Sequence, residues 1–226
     1  MTDAAHPATS ALITYLDGID VSAYQGHAID WPTVARSGIA WAYCKALEGA
    51  TNPDDTFAGN MSRGRAAGVR MGGYLFHRVA HLDHSEGVEA RAMSVNLHAN
   101  DQADRFIAIL RANGWTPDDL PPAVDVEAKD GASDDEVARS ACIVLRRLEA
   151  EFGVVPVLYT YLNFAAVFLR APEVARFPLW LASYTSREPP APLPWTSWWA
   201  WQWSGKAIVP GVPTPCDRSR MVTPLP

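Results

Sequence analysis

Along the first two thirds of the chain, short apolar runs alternate with segments whose apolar positions recur at helical period. The runs Tyr15–Ser22, Ile39–Ala46, Val69–His77, Ala123–Glu127 and Val154–Tyr159 predict five strands. Asp30-Trp31-Pro32 starts a short helix, with Asp30 as N-cap and Pro32 in the first turn, and that helix ends near Ser37-Gly38. Asp55–Ala67 predicts the next helix, closed by Gly68. From Ser85 to Asn113 the period is helical but long, with Asn100-Asp101 as the place where it would divide in two. Ser133 and Glu136 have capping-box spacing ahead of Val137, Ile143, Val144 and Leu148, and Gly153 ends that helix. Phe164–Leu169 lies on one more. Then the rhythm changes. Pro178–Tyr184, Ser197–Ser204 and the region around Cys216-Asp217 read as strands joined by proline-rich loops such as Glu188–Pro194, with no helix between them.

Five strand–helix units followed by strands alone predict an α/β fold, an irregular β/α barrel whose last three strands lack helices. Alternating units favour a parallel sheet. In such barrels the chemistry gathers at the carboxyl ends of the strands. Asp20, Lys45, Tyr74, Asp125, Glu127, Tyr159, Tyr184 and Asp217 all fall near predicted strand ends. Residues 15–226 are expected to form a single catalytic domain, preceded by a flexible arm over residues 1–14.

Composition narrows the partners. At 226 residues and 48% hydrophobic content the chain can bury one full core. A net charge of −6 without a basic run argues against nucleic acid, and no stretch is apolar for long enough to insert into a membrane. Met1–Thr14 lacks both a basic start and a sustained apolar segment, so no signal peptide is expected. Synthesis is then cytoplasmic, and action outside the cell would follow release or non-classical export. Cys44, Cys142 and Cys216 are odd in number and lack metal-like spacing, which reads as buried, reduced thiols. His77, His81 and His84 with Asp83 form a cluster, but in a loop-like stretch without a His-Glu-x-x-His pattern; they read as surface histidines, and no metal or other cofactor is expected. A monomer suffices.

The chemistry concentrates in Leu120–Glu127, Leu-Pro-Pro-Ala-Val-Asp-Val-Glu. Residues two apart on a strand face the same way, about 6.6 Å apart, so Asp125 and Glu127 point into one space and Val126 into another. Close carboxylates resist ionising together, and the one that keeps its proton can serve as a general acid. A solvated acidic strand end has the same letters, so the pair depends on its surroundings. Nine tryptophans and seven tyrosines supply flat faces of the kind that stack on sugar rings, although about half are expected in ordinary core. Lys45 and Glu48 read as an ion pair at a strand exit. Trp201 and Trp203 share one face of their strand, packing on the barrel or touching sugar at its end. Cleaving a glycosidic bond needs a proton donor and a second carboxylate. That second group can attack, activate a water, or hold an acetamido group that attacks instead, and the sequence leaves the three open.

Several segments together carry a resemblance. Gly18-Ile19-Asp20-Val21-Ser22 with Tyr24-Gln25-Gly26 and Ile29-Asp30-Trp31, then Lys45-Ala46-Leu47-Glu48-Gly49, resemble the opening motifs of glycoside hydrolase family 25, the muramidases. Asp101–Phe106, Pro121–Glu127, Trp180–Tyr184, Trp201–Ser204 and the Asp217 region are similar to further family segments, in the same order, from about Asp17 to Met221. The resemblance implies a barrel that cleaves the β-1,4 bond between N-acetylmuramic acid and N-acetylglucosamine in bacterial peptidoglycan, in an endolysin-like role in cell lysis. It implies Glu127 as general acid, Asp125 assisting by orienting the N-acetyl group or tuning Glu127, and Asp20 and Asp217 as flanking carboxylates. Tyr74, Tyr159, Tyr184, Trp201 and Lys45 are expected to contact substrate. A non-catalytic glycan-binding barrel is the alternative. A chitinase-type strand is excluded, because Leu120 and Ala123 stand where it needs aspartates. Two departures stand out: Tyr74-Leu75-Phe76-His77 replaces the family's usual Tyr-His-Phe, which moves the histidine to the opposite face, and Val79–Asn100 is longer than the usual link.

Overall fold

The computed structural model describes residues 14–80, 85 and 87–223. The expected arm, apart from Thr14, lies outside them, as do His81, Asp83 and His84. Among the described residues nine strands form one sheet: β1 (Tyr15–Val21), β2 (Trp41–Glu48), β3 (Asn52–Pro53), β4 (Arg70–Phe76), β5 (Ala123–Asp125), β6 (Val157–Tyr161), β7 (Leu179–Ala182), β8 (Ala200–Ala207) and β9 (Cys216–Val222). All but β3, a short hairpin partner of β2, close into a barrel through the order β1-β9-β8-β7-β6-β5-β4-β2 and back to β1. Helices α1 (Trp31–Arg36), α2 (Phe57–Ala66), α3 (Val88–Ala112), α4 (Asp134–Phe152) and α5 (Leu162–Phe168) follow the early strands. The expected irregular β/α barrel is the fold found.

Local chemistry explains the boundaries. Asp30 caps α1, its side chain accepting from the Thr33 amide. Ser133 and Glu136 form the reciprocal capping box of α4, and Gly153 ends that helix in the left-handed region at φ 68°. The expected break at Asn100-Asp101 is absent: α3 is one helix, because its buried stripe runs on through Val95, Ala99, Ala103, Phe106 and Leu110. β6 begins at Val157 rather than Val154, after Pro156. Leaving aside β3, the parallel expectation holds from β1 to β8 and fails at β9, which runs antiparallel to both β8 and β1. A short loop and no helix joins β8 to β9, and only a crossover could have brought the chain back parallel.

The barrel interior is filled with aromatic rings. Trp41, Tyr43 and Trp180 pack at centroid distances of 5.0–6.0 Å, with Leu120, Ala123, Val157 and Met221 around them. Two glycines make room. A Cβ on Gly18 would lie 2.0 Å from the Trp41 ring, and one on Gly72 would lie 2.6 Å from Tyr43. Gly18→Ala is therefore expected to lower stability by about 1–3 kcal/mol through overpacking, read as an earlier urea midpoint; an unchanged midpoint would show that Trp41 has room to move. A second apolar layer, including Phe57, Met71, Phe106, Val124, Val126 and Leu145, joins the outside of the barrel to its helices. Where none of the described helices covers β8, β9 and β1, Arg220 lies across the rings of Tyr15, Trp201 and Trp203 at 5.2–5.9 Å.

Candidate active site

The strand that carries Asp125 and Glu127 is pinned on both sides. The His77 amide donates to the Asp125 carbonyl at 2.8 Å, the Val126 amide to the Tyr159 carbonyl at 2.9 Å, and Thr160 Oγ1 to the Val126 carbonyl at 2.7 Å. Regular β5 stops at Asp125, yet these bonds carry its extended path to Glu127. Val126 is fully buried on the outside, and Asp125 and Glu127 face the barrel mouth. After Glu127, Asp130 holds the next loop by accepting from Arg78 at 2.6 Å and from the Val79 amide at 2.9 Å.

At the mouth, Asp20, Lys45, Tyr74, Asp125, Glu127, Tyr159, Tyr184 and Asp217 line one cavity of about 300 Å³. A second cavity of about 440 Å³ adjoins it and is lined by Glu127, Tyr159, Tyr161, Asn163, Ser183 and Tyr184. Glu127 therefore stands on the boundary between the two, whereas Asp125 borders only the first. Asp217 reaches the mouth from the start of its strand, not the end: antiparallel β9 places it opposite Asp20 in register.

All of these carboxylates sit above their ordinary pKa. Burial is the main cause for Asp20, followed by the Asp217 charge; for Asp125 it is burial and then the Glu127 charge. Glu127 is raised by burial and then by Asp217, with Lys45 pulling the other way. Asp217 is raised by burial, partly offset by hydrogen bonds with Asp20 and Tyr184. Asp125 Oδ1 is buried and has no hydrogen-bond partner among the described residues. Burial also keeps the Tyr74, Tyr159 and Tyr184 hydroxyls protonated, as donors. Lys45 is held by Glu48 at 2.6 Å and lies 5.0 Å from the Phe76 ring centroid, so the expected ion pair is also a wall of the cavity.

The model of glycosyl hydrolases family 25 matches residues 19–212. The chain belongs to that family. As a member of family 25 it is a glycoside hydrolase. It is 29% identical to lysozyme M1 of Streptomyces globisporus over 91% of this chain and 67% of that one. It superposes on the crystal structure of the bacterial lysozyme of Streptomyces coelicolor with a TM-score of 0.77, at 28% identity and 91% coverage of both chains. A family 25 lysozyme of Aspergillus fumigatus, at 24% identity, shares the fold with a TM-score of 0.74 over 94% and 96% of the two chains.

Within this family 25 barrel, two expectations require correction. Trp201 does not join the mouth. It is 3% exposed on the outer face of β8, its indole N–H donates to the Ser183 carbonyl at 2.7 Å, and it borders neither cavity. His77 is not a surface histidine. It is fully buried between barrel and helices, its Nε2 is 2.9 Å from Ser140 Oγ, and burial lowers its pKa to about 3. The sequence reading passed over Tyr161 and Asn163, which lie just beyond the predicted end of the fifth strand. It also passed over Gln202, which faces inward between the two outward tryptophans. That same alternation was the available signal.

Proposed function

We propose that this muramidase, a peptidoglycan hydrolase, cleaves the β-1,4 bond on the carboxyl side of the barrel mouth with Glu127 as its general acid. The observation that carries the assignment is the position of Glu127 on the boundary of two adjoining cavities. A glycan chain lying across both brings its glycosidic oxygen to Glu127. The smaller cavity, with its surrounding carboxylates, then takes the N-acetylmuramic acid whose anomeric carbon becomes positive, and the larger takes the departing N-acetylglucosamine. Burial raises the Glu127 pKa, which favours a retained proton, the requirement for protonating a leaving oxygen. The neighbouring carboxylates stabilise the charge that develops.

Asp125 assists from deeper in the first cavity. Its unbonded Oδ1 is an acceptor for the acetamido N–H of the bound sugar, an interaction that would turn the acetamido oxygen toward the anomeric carbon. Tyr74, Tyr159, Tyr184 and Lys45 line the same walls and hold the sugar hydroxyls and carboxylate. Every group in this scheme comes from one chain, so a monomer is sufficient. The substrate is the bacterial wall, and the physiological outcome is cell lysis.

The bond cleaved is tested by digesting purified peptidoglycan, reducing the products with borohydride and weighing the fragments. Muramitol at the reducing ends is the expected result. Reduced glucosamine ends would reverse the order of sugars across Glu127 and overturn the assignment.

A further inference from the structure

Gln202 is 1% exposed and lies inside the barrel on β8, below the carboxylates. Its amide oxygen accepts from the hydroxyls of Tyr159 at 3.0 Å and Tyr184 at 2.9 Å. Its amide N–H donates to Asp20 Oδ2 at 3.0 Å. The amide has a single satisfactory orientation, because a flipped amide would set its oxygen against Asp20 Oδ2, acceptor against acceptor. The tyrosines hold the amide oxygen, and the amide fixes one oxygen of Asp20. Asp217 is the register partner of Asp20 across β1 and β9 and lines the same cavity.

We propose that Gln202 is a positioning residue for the reaction, the part that makes Asp20 and Asp217 act as one unit with a single proton and a single negative charge. Two buried carboxyl groups this close resist ionising together, so one of them keeps a proton. Asp20, the more deeply buried, holds it, and Asp217 carries the charge. Ionised Asp217 raises the pKa of Glu127, so the unit both faces the developing positive charge and helps Glu127 keep its proton. Other groups bordering the unit are Lys45 on β2, Tyr74 on β4, and Asp125 and Glu127 at the end of β5. Lys45 is already held by Glu48, which leaves the Gln202 amide as the neutral donor that keeps Asp20 in place.

This inference rests on Glu127 as the acid, and the pH dependence of kcat/KM on solubilised peptidoglycan separates the two. Protonating the unit completely should end activity on the acid side, and deprotonating Glu127 should end it on the alkaline side. In Gln202→Met the carboxylate loses an N–H donor, so the unit takes its second proton at higher pH. The expected result is an acid limb moved upward, an alkaline limb left in place, and kcat reduced by about 10²-fold with KM little changed, as for a misplaced reacting group. A Gln202→Met protein with the wild-type melting curve, kcat and acid limb would overturn the inference. Should that variant fail to fold, Tyr184→Phe keeps the ring and removes only the hydroxyl that donates to Gln202. Its acid limb should also move upward, by less, and an unmoved limb would again overturn the inference. If Glu127→Gln retains activity, the acid assignment itself falls; if Glu127→Gln is inactive while folded Gln202→Met matches wild type, only the Gln202 inference falls.

Discussion

Glu127→Gln is expected to lower peptidoglycan-clearing activity by about 10²–10⁴-fold, the contribution of a positioned general acid. The substitution keeps the size and reach of the side chain and removes only its ability to deliver a proton. Glu127 is the carboxylate bordering both cavities, so no neighbour can take over at the same oxygen. Binding should survive, and the loss should therefore fall on kcat. The pH dependence follows in sign. Burial and the nearby Asp217 charge raise the Glu127 pKa, while the reaction needs its protonated form. Activity should thus fall with rising pH through a value above the ordinary carboxylate range, with an alkaline limb that disappears in Glu127→Gln. Turbidity loss across a pH series measures both effects. Unchanged lysis by a folded Glu127→Gln protein would sink the assignment.

Much of this site was legible because barrels obey period two. Alternation alone put Asp125 and Glu127 on one side of their strand and Val126 on the other, and the order of strand–helix units placed Asp20, Lys45, Tyr74 and Tyr159 at one mouth. The errors also have physical causes. A strand with no helix after it carries no signal of direction, so the antiparallel course of β9 could not be read. Asp217 was expected near a strand end on a parallel course; it reaches the mouth from the start of antiparallel β9, in register with Asp20. Hydrophobic runs were taken to mark buried faces, which holds where helices cover the barrel. On β8 the polarity is inverted. With no helix outside, the outer wall is closed by Trp201 and Trp203 under Arg220, while polar Gln202 turns inward to serve the carboxylates. Reading Trp201 as a sugar contact and passing over Gln202 are the same error seen from two sides. His77 failed in a related way: a histidine beside a polar loop resembles a surface group until α4 brings Ser140 against it.

Asp125→Asn is expected to reduce kcat by about 10²–10³-fold while making the fold more stable at neutral pH. The loss follows from charge: Asn can offer the acetamido N–H of the substrate only a neutral amide oxygen, a weaker acceptor than a carboxylate. The gain follows from linkage. Asp125 is buried, one of its oxygens is unbonded, and burial and Glu127 raise its pKa well above that of an unfolded chain. Below the unfolded pKa the carboxyl is protonated in both states and costs nothing. As pH rises through the interval between the two values, the unfolded chain releases its proton before the folded chain does, and stability falls. Removing the charge removes that fall, so the melting temperature of Asp125→Asn should exceed that of wild type at pH 7 and converge on it toward pH 3. A variant that is slower and more stable separates a catalytic carboxylate from a structural one, because loss of a structural group would lower both. The substrate then decides how Asp125 assists. On peptidoglycan whose muramic acid has been de-N-acetylated there is no acetamido group to orient, and wild type should slow to nearly the rate of Asp125→Asn. If the gap between the two persists on that substrate, Asp125 acts by tuning Glu127, and the acetamido route is wrong.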